Sequence, residues 1–158
     1  MNIMMKKEYY KNCFLLFIPI IMFNVIFTKY LPEKYLQNIS HKIVTIENIF
    51  RLILIIFSII MKINFNKIKG KIGLFVYVIG VIIYFTSYFI IINNHNTFLG
   101  KYFIIQLSGY WSAIIWLIGI GLIGNKLLIK IPYHYSIYLI LSIIFTIVHT
   151  FHGIILLK

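Results

Sequence analysis

IGLFVYVIGVIIYFTSYFIII, residues 72–92, runs for twenty-one positions without a charged side chain. About twenty apolar residues in a helix are enough to cross the roughly 30 Å hydrocarbon core of a bilayer. In that core every backbone N–H and C=O must be bonded internally, which makes a helix the expected form. Gly73 and Gly80 lie within the run and leave room for a neighbouring helix to approach closely.

Working outward, the same pattern repeats. Upstream lies the basic turn 64–71, with Lys67, Lys69 and Lys71, and before it an apolar run over 46–63. Thr45 is placed to cap that run's N-terminus. A first run covers 12–30 and follows Lys6, Lys7 and Lys11. Downstream, Asn93–Thr97 is a polar break. A fourth run follows, starting at Tyr102 and tilted, or starting at Tyr110 after an interfacial 102–107 segment, and reaching residue 128. Pro132 breaks the chain before a fifth run over 135–157. The expected fold is an all-α integral membrane protein, a bundle of five transmembrane helices forming a single domain over 1–158. Between the first two crossings, the spacing of Leu31, Tyr35, Leu36, Ile39 and Ile43 fits either a short amphipathic interfacial helix or an extended loop.

Composition agrees. The chain is 61% hydrophobic and 11% charged, against about a quarter charged for an ordinary soluble domain. Its net charge of +12 comes from lysines that bracket apolar runs as juxtamembrane anchors do, and a nucleic-acid partner is rejected on that ground. The scarcity of Ala and Arg reads as the coding bias of an AT-rich genome. One cysteine, Cys13, excludes an internal disulfide and a multi-cysteine metal site. The basic start before the first run resembles a signal peptide, but no small-residue cleavage site follows Phe27, so an uncleaved helix is expected. Lysine asymmetry in the short loops puts the N-terminus in the cytoplasm and the C-terminus outside, in a plasma (inner) membrane of bacterial type.

Ionisable residues inside such runs are functional candidates. Glu47 and Arg51 are four apart on one helix face, acid first. His149 and His152 are three apart near the end of the last run. Asn24 sits one turn from the outer end of the first. Under the assigned topology all five fall in the outer half of the membrane, which makes them the candidate ligand-binding residues. Each also has a plainer reading: Glu47 as a complement to the helix dipole, Arg51 snorkelling to headgroups, the histidines bonded to neighbouring helices. His149, His152 and His95 are the weak candidates for a metal, since a full site needs partners from separate segments. Tyr30, Tyr35, Tyr102, Tyr110, Trp111, Tyr133 and Tyr135 read as an aromatic belt, and Gly119, Gly121 and Gly124 as a packing surface.

No Walker loop, nucleophile elbow, zinc-protease motif or cysteine pair occurs, and no cofactor is expected. The leading expectation is a non-enzymatic membrane protein that binds or transports a small or lipidic ligand through a polar pocket in the outer leaflet. The alternatives are a membrane-embedded enzyme acting on a lipid or isoprenoid headgroup, or an accessory subunit. Expected partners are the bilayer, the ligand, and a membrane-protein partner or a second copy.

Overall fold

The computed structural model describes residues 11–32, 41–94, 97–129 and 131–157. The described chain is mostly helical. A 3-10 turn, Cys13–Leu16, leads into α1 (Ile18–Phe27), which ends in a second 3-10 turn, Thr28–Tyr30. Helix α2 (His41–Ile60) passes directly into β1 (Met61–Lys62), and α3 (Ile68–Asn94) follows. Three single turns come next, α4 (Phe98–Lys101), α5 (Phe103–Gln106) and α6 (Ser108–Trp111). Helix α7 (Ala113–Ile123), β2 (Lys126–Leu127) and α8 (Ser136–Leu157) complete the order.

Four stretches, Cys13–Tyr30, His41–Ile60, Ile68–Asn94 and Ser136–Leu157, are long and apolar enough to cross a membrane. The fifth apolar stretch, Ser108–Ile123, is shorter, about 24 Å at the helical rise. The expected fourth run of 102 or 110 to 128 is therefore corrected at both ends. Its start is broken into separate turns, and its helix stops at Ile123 because Gly124 leaves helical geometry and Lys126–Leu127 pairs with Met61–Lys62. That pairing also ends α2 at Ile60, short of residue 63. Helix α2 already includes His41, ahead of residue 46, so Thr45 is no cap: it lies inside the helix and its hydroxyl donates back to the His41 carbonyl, 2.7 Å away. The expected interfacial segment over 29–45 lies largely outside the described residues.

Helix α7 is apolar all round and is the most deeply buried, with Leu117, Ile120 and Ile123 fully enclosed, as an all-apolar helix should be. Its main partner is α3. The buried positions of α3 (Gly70, Gly73, Tyr77, Gly80, Tyr84, Ser87 and Ile91) recur at spacings of three and four and form one seam. Two glycines of that seam admit the backbone of α7. A Cβ on Gly80 would lie 2.4 Å from the Trp116 nitrogen, and one on Gly73 would lie 2.8 Å from the Gly119 carbonyl oxygen. The reverse holds at Gly119, where a Cβ would meet the Tyr77 backbone at 2.5 Å. Small residues at a helix seam permit such close approach and the dispersion contacts that come with it.

At one end of the bundle the two short strands pair antiparallel, Met61 opposite Leu127 and Lys62 opposite Lys126. The start of the chain joins them through an Asn12–Lys62 bridge and the Ile63 N–H, which donates to the Lys11 carbonyl at 2.9 Å. Cys13 and Met61 are fully buried beneath this cap, and the Tyr133 hydroxyl donates to Met61 Sδ at 3.1 Å. Burial holds the Tyr133 phenol above its ordinary value, so it stays a donor.

Candidate functional site

Helices α2 and α8 pack antiparallel, and each presents a stripe at spacings of three and four. On α2 it runs Glu47, Arg51, Leu54, Ser58; on α8 it runs Tyr138, Ser142, Phe145, His149, His152. Near the strand cap the stripes meet at Ser58 Oγ and Tyr138 Oη, 3.1 Å apart, with the serine hydroxyl also 2.8 Å from the Leu54 carbonyl. Eleven residues further along α2, about 16 Å by the helical rise, they meet again at Glu47.

Glu47 is only 3% exposed. One carboxylate oxygen, Oε1, accepts from Arg51 and lies 3.1 Å from His149 Nδ1; the other, Oε2, pairs with His152 Nδ1. Arg51 keeps a second bond to Asn48 Oδ1 at 2.9 Å and is about half exposed. His149 touches two rings, Phe145 stacked at 5.2 Å and Tyr110 tilted at 4.9 Å. Tyr110 reaches that place by lying over Gly153, where a Cβ would meet its ring at 2.7 Å.

The helix-dipole reading of Glu47 is thereby corrected. Because α2 already includes His41, Glu47 lies beyond its first turn, and its carboxylate faces α8. Tyr110 packs on α8, while Tyr30 and Tyr102 are exposed.

Beside the cluster is a cavity of about 300 Å³. Its lining follows the order along the helices. Toward the strand cap the walls are apolar: Phe17, Ile20, Leu54, Leu117 and Phe145. Toward the other end polar groups join the wall, Asn24, Thr28, Arg51, Tyr88 and His149, beside Val25 and Ala113. The Tyr84 hydroxyl donates to Asn24 Oδ1 at 2.7 Å, and the Tyr88 hydroxyl is 3.2 Å from that of Tyr84. Trp116 also lines the cavity; it is 5% exposed, and among the described residues none accepts from its indole N–H.

The cavity exists because α1 leans away from α2. An aromatic cluster holds α1 on α3, with Phe23 stacked on Phe85 at 3.9 Å and set edge-on to Tyr88 at 5.4 Å. The Tyr77 hydroxyl fixes its lower end by donating to the Leu16 carbonyl at 2.8 Å. Helices α1 and α2 make little direct contact, and exposed Ile21, Val25 and Arg51 mark the open side between them.

Of the five residues singled out from sequence, Asn24, Arg51 and His149 line one cavity, while Glu47 and His152 hold its polar wall from behind. His95 lies outside the described residues. Among the described residues no group of three or more His, Cys, Asp or Glu is placed to hold a metal ion. Sequence reasoning missed Tyr84 and Trp116. The available signal for Tyr84 was the spacing of three and four that links it to Gly73, Tyr77 and Gly80. Compared with family models, curated proteins and solved structures, the chain shows no match to any.

Proposed function

We propose that this is an integral membrane protein that binds a small amphipathic ligand, its anionic or acceptor-rich head at Arg51 and its apolar body in the cavity below. The observation that carries this reading is the cavity's polarity gradient: one end apolar, the other holding Arg51, Asn24, Tyr88 and His149. Pockets for small ligands have this character, mostly apolar with a few placed polar groups, and about 300 Å³ is at the small end of their range. Trp116 adds a buried donor that no described residue accepts from.

Membrane insertion is supported by the inverted distribution of polarity. Exposed positions on α2 and α8 include Ile49, Leu52, Ile56, Ile140, Ile147 and Phe151, while Glu47, Ser58 and Ser142 are buried. Four helices cross in this reading and the α6–α7 stretch makes the fifth span, shielded at the centre by its neighbours. Lys11, Lys62, Lys67, Lys69, Lys71 and Lys126 gather at or beside the strand cap. Two lysines paired across strands repel in water but suit the anionic headgroups of a cytoplasmic leaflet. The cap is then the cytoplasmic side of a plasma (inner) membrane, and the polar end of the cavity opens between α1 and α2 in the outer leaflet.

The test is purification in a mild detergent followed by mass spectrometry of retained small molecules, for the parent and for Arg51→Leu. The reading expects an amphiphile retained by the parent and lost from a folded Arg51→Leu variant; equal content in both contradicts it. A second reading, an enzyme acting on a lipid headgroup, is favoured by the pairing of His149 Nδ1 with Glu47. This fixes one tautomer and leaves Nε2 as a base. Turnover of a labelled lipid extract, abolished in His149→Ala, would establish it.

A further inference from the structure

Resting on that ligand-binding reading, we propose that the cavity takes an anionic head together with one proton, held by the cluster of Glu47, His149 and His152. Among the described residues Arg51 is the one Lys or Arg lining the cavity, and it is already bound to Glu47. With both histidines neutral, Glu47 and Arg51 sum to zero charge. An anion that draws Arg51 toward the cavity leaves the site with one uncompensated negative charge, which is costly away from water.

The structure holds a remedy in place. His149 and His152 each turn Nδ1 to a different oxygen of the Glu47 carboxylate. Imidazole is the side chain that changes charge between about pH 5 and 8. A proton taken up there is met by the carboxylate that Arg51 has released, and the site returns to neutrality. The proton belongs to the cluster as a whole and not to one ring.

The other described groups facing the cluster do not compete for this role. Helix α2 supplies Glu47, Arg51 and the amide of Asn48; α8 supplies the two histidines; α6 supplies Tyr110 against His149. Across the cavity α3 supplies Tyr84 and Tyr88, α1 supplies Asn24 and Thr28, and α7 supplies Trp116. Phenols are neutral at these pH values, and the amides, hydroxyl and indole do not titrate.

Linkage fixes the sign. If the anion raises the cluster's proton affinity, the proton raises the anion's affinity by the same factor. Affinity then rises as pH falls, by up to about tenfold per pH unit for one proton. It levels off once the free protein already carries the proton.

Octyl sulfate is a suitable probe, since its own charge is constant over this range. Its binding to purified protein in a non-ionic detergent is measured by calorimetry between about pH 5.5 and 8.5, in pairs of buffers with different ionisation heats. The expected result is a Kd that weakens with rising pH and about one proton taken up per ligand above neutrality. In Glu47→Gln, and separately in His149→Gln with His152→Gln, whatever affinity is retained should show neither the proton uptake nor the pH dependence. Arg51-dependent binding by the wild-type chain with a flat Kd and no proton uptake overturns the proton coupling and leaves the ligand reading standing. Absence of binding at every pH, or equal binding by folded Arg51→Leu, overturns the ligand reading itself. Should a Gln variant fail to fold, the buffer-pair measurement on the wild-type chain still decides.

Discussion

Replacing Glu47 with Leu tests how α2 and α8 are held together. The substitution removes the acceptor for three side chains at once. Arg51, about half exposed, can turn to headgroups or water and loses little. His149 and His152 are each less than one-fifth exposed and lose their charged partner inside the bundle. Neutral hydrogen bonds between membrane helices average only about 0.6 kcal/mol, but bonds to a charged group contribute about 1.5–3 kcal/mol each. Two such bonds predict a loss of about 3–6 kcal/mol, in line with the cost of breaking a buried charge pair from one side. The triple replacement Glu47→Leu, His149→Leu, His152→Leu leaves no polar group unpaired on that seam and should regain most of the loss. The assay is a reversible unfolding titration in mixed micelles followed by far-ultraviolet circular dichroism. A Glu47→Leu variant within about 1 kcal/mol of the parent, or a triple variant no more stable than the single, refutes the reasoning.

Other consequences are more local. Gly80→Ala should destabilise by about 1–2 kcal/mol even though helix propensity favours Ala by about 1 kcal/mol, because its Cβ meets the α7 backbone at 2.4 Å; the same unfolding titration checks this. Tyr138→Phe removes only the neutral contact with Ser58 and should cost about 0.6 kcal/mol, well below Glu47→Leu. Thr45→Ala should change stability by less than about 0.5 kcal/mol, since Thr45 bonds back along its own helix; a loss of about 1 kcal/mol or more would mark it as a cap after all. Cys13, fully buried under the cap, should resist a membrane-permeant maleimide until the protein is unfolded, which mass spectrometry would show.

The helical class was legible in the run 72–92 because a long uncharged stretch allows few alternatives. The pairing of helices was half legible. Gly73, Gly80 and Gly119 announced close approach, but only three-dimensional register shows that α3 takes α7 as its partner. The short strands were not legible, because Met61–Lys62 and Lys126–Leu127 are two-residue segments with no periodicity to read. Together with Gly124 they explain why two runs stop short of their expected ends. Glu47 and Arg51 announced themselves as a pair through their spacing. That His149 and His152 complete the cluster depends on a contact across more than a hundred residues, which no local pattern encodes. The cavity was invisible for a related reason: it is the space left when Phe23 binds α1 to α3 and α1 diverges from α2.

The central claim is that this space holds an amphiphile with its head at Arg51. Trp116 lines the space, and the chain has only one other tryptophan, Trp111. In a Trp111→Phe background, fluorescence therefore reports on the cavity alone. Titration with an octyl sulfate brominated near its tail should quench Trp116 saturably, with competition by unbrominated octyl sulfate and loss of the saturable phase in Arg51→Leu. Quenching that only grows in proportion to bromine in the micelle, and is the same with or without Arg51, would contradict the account.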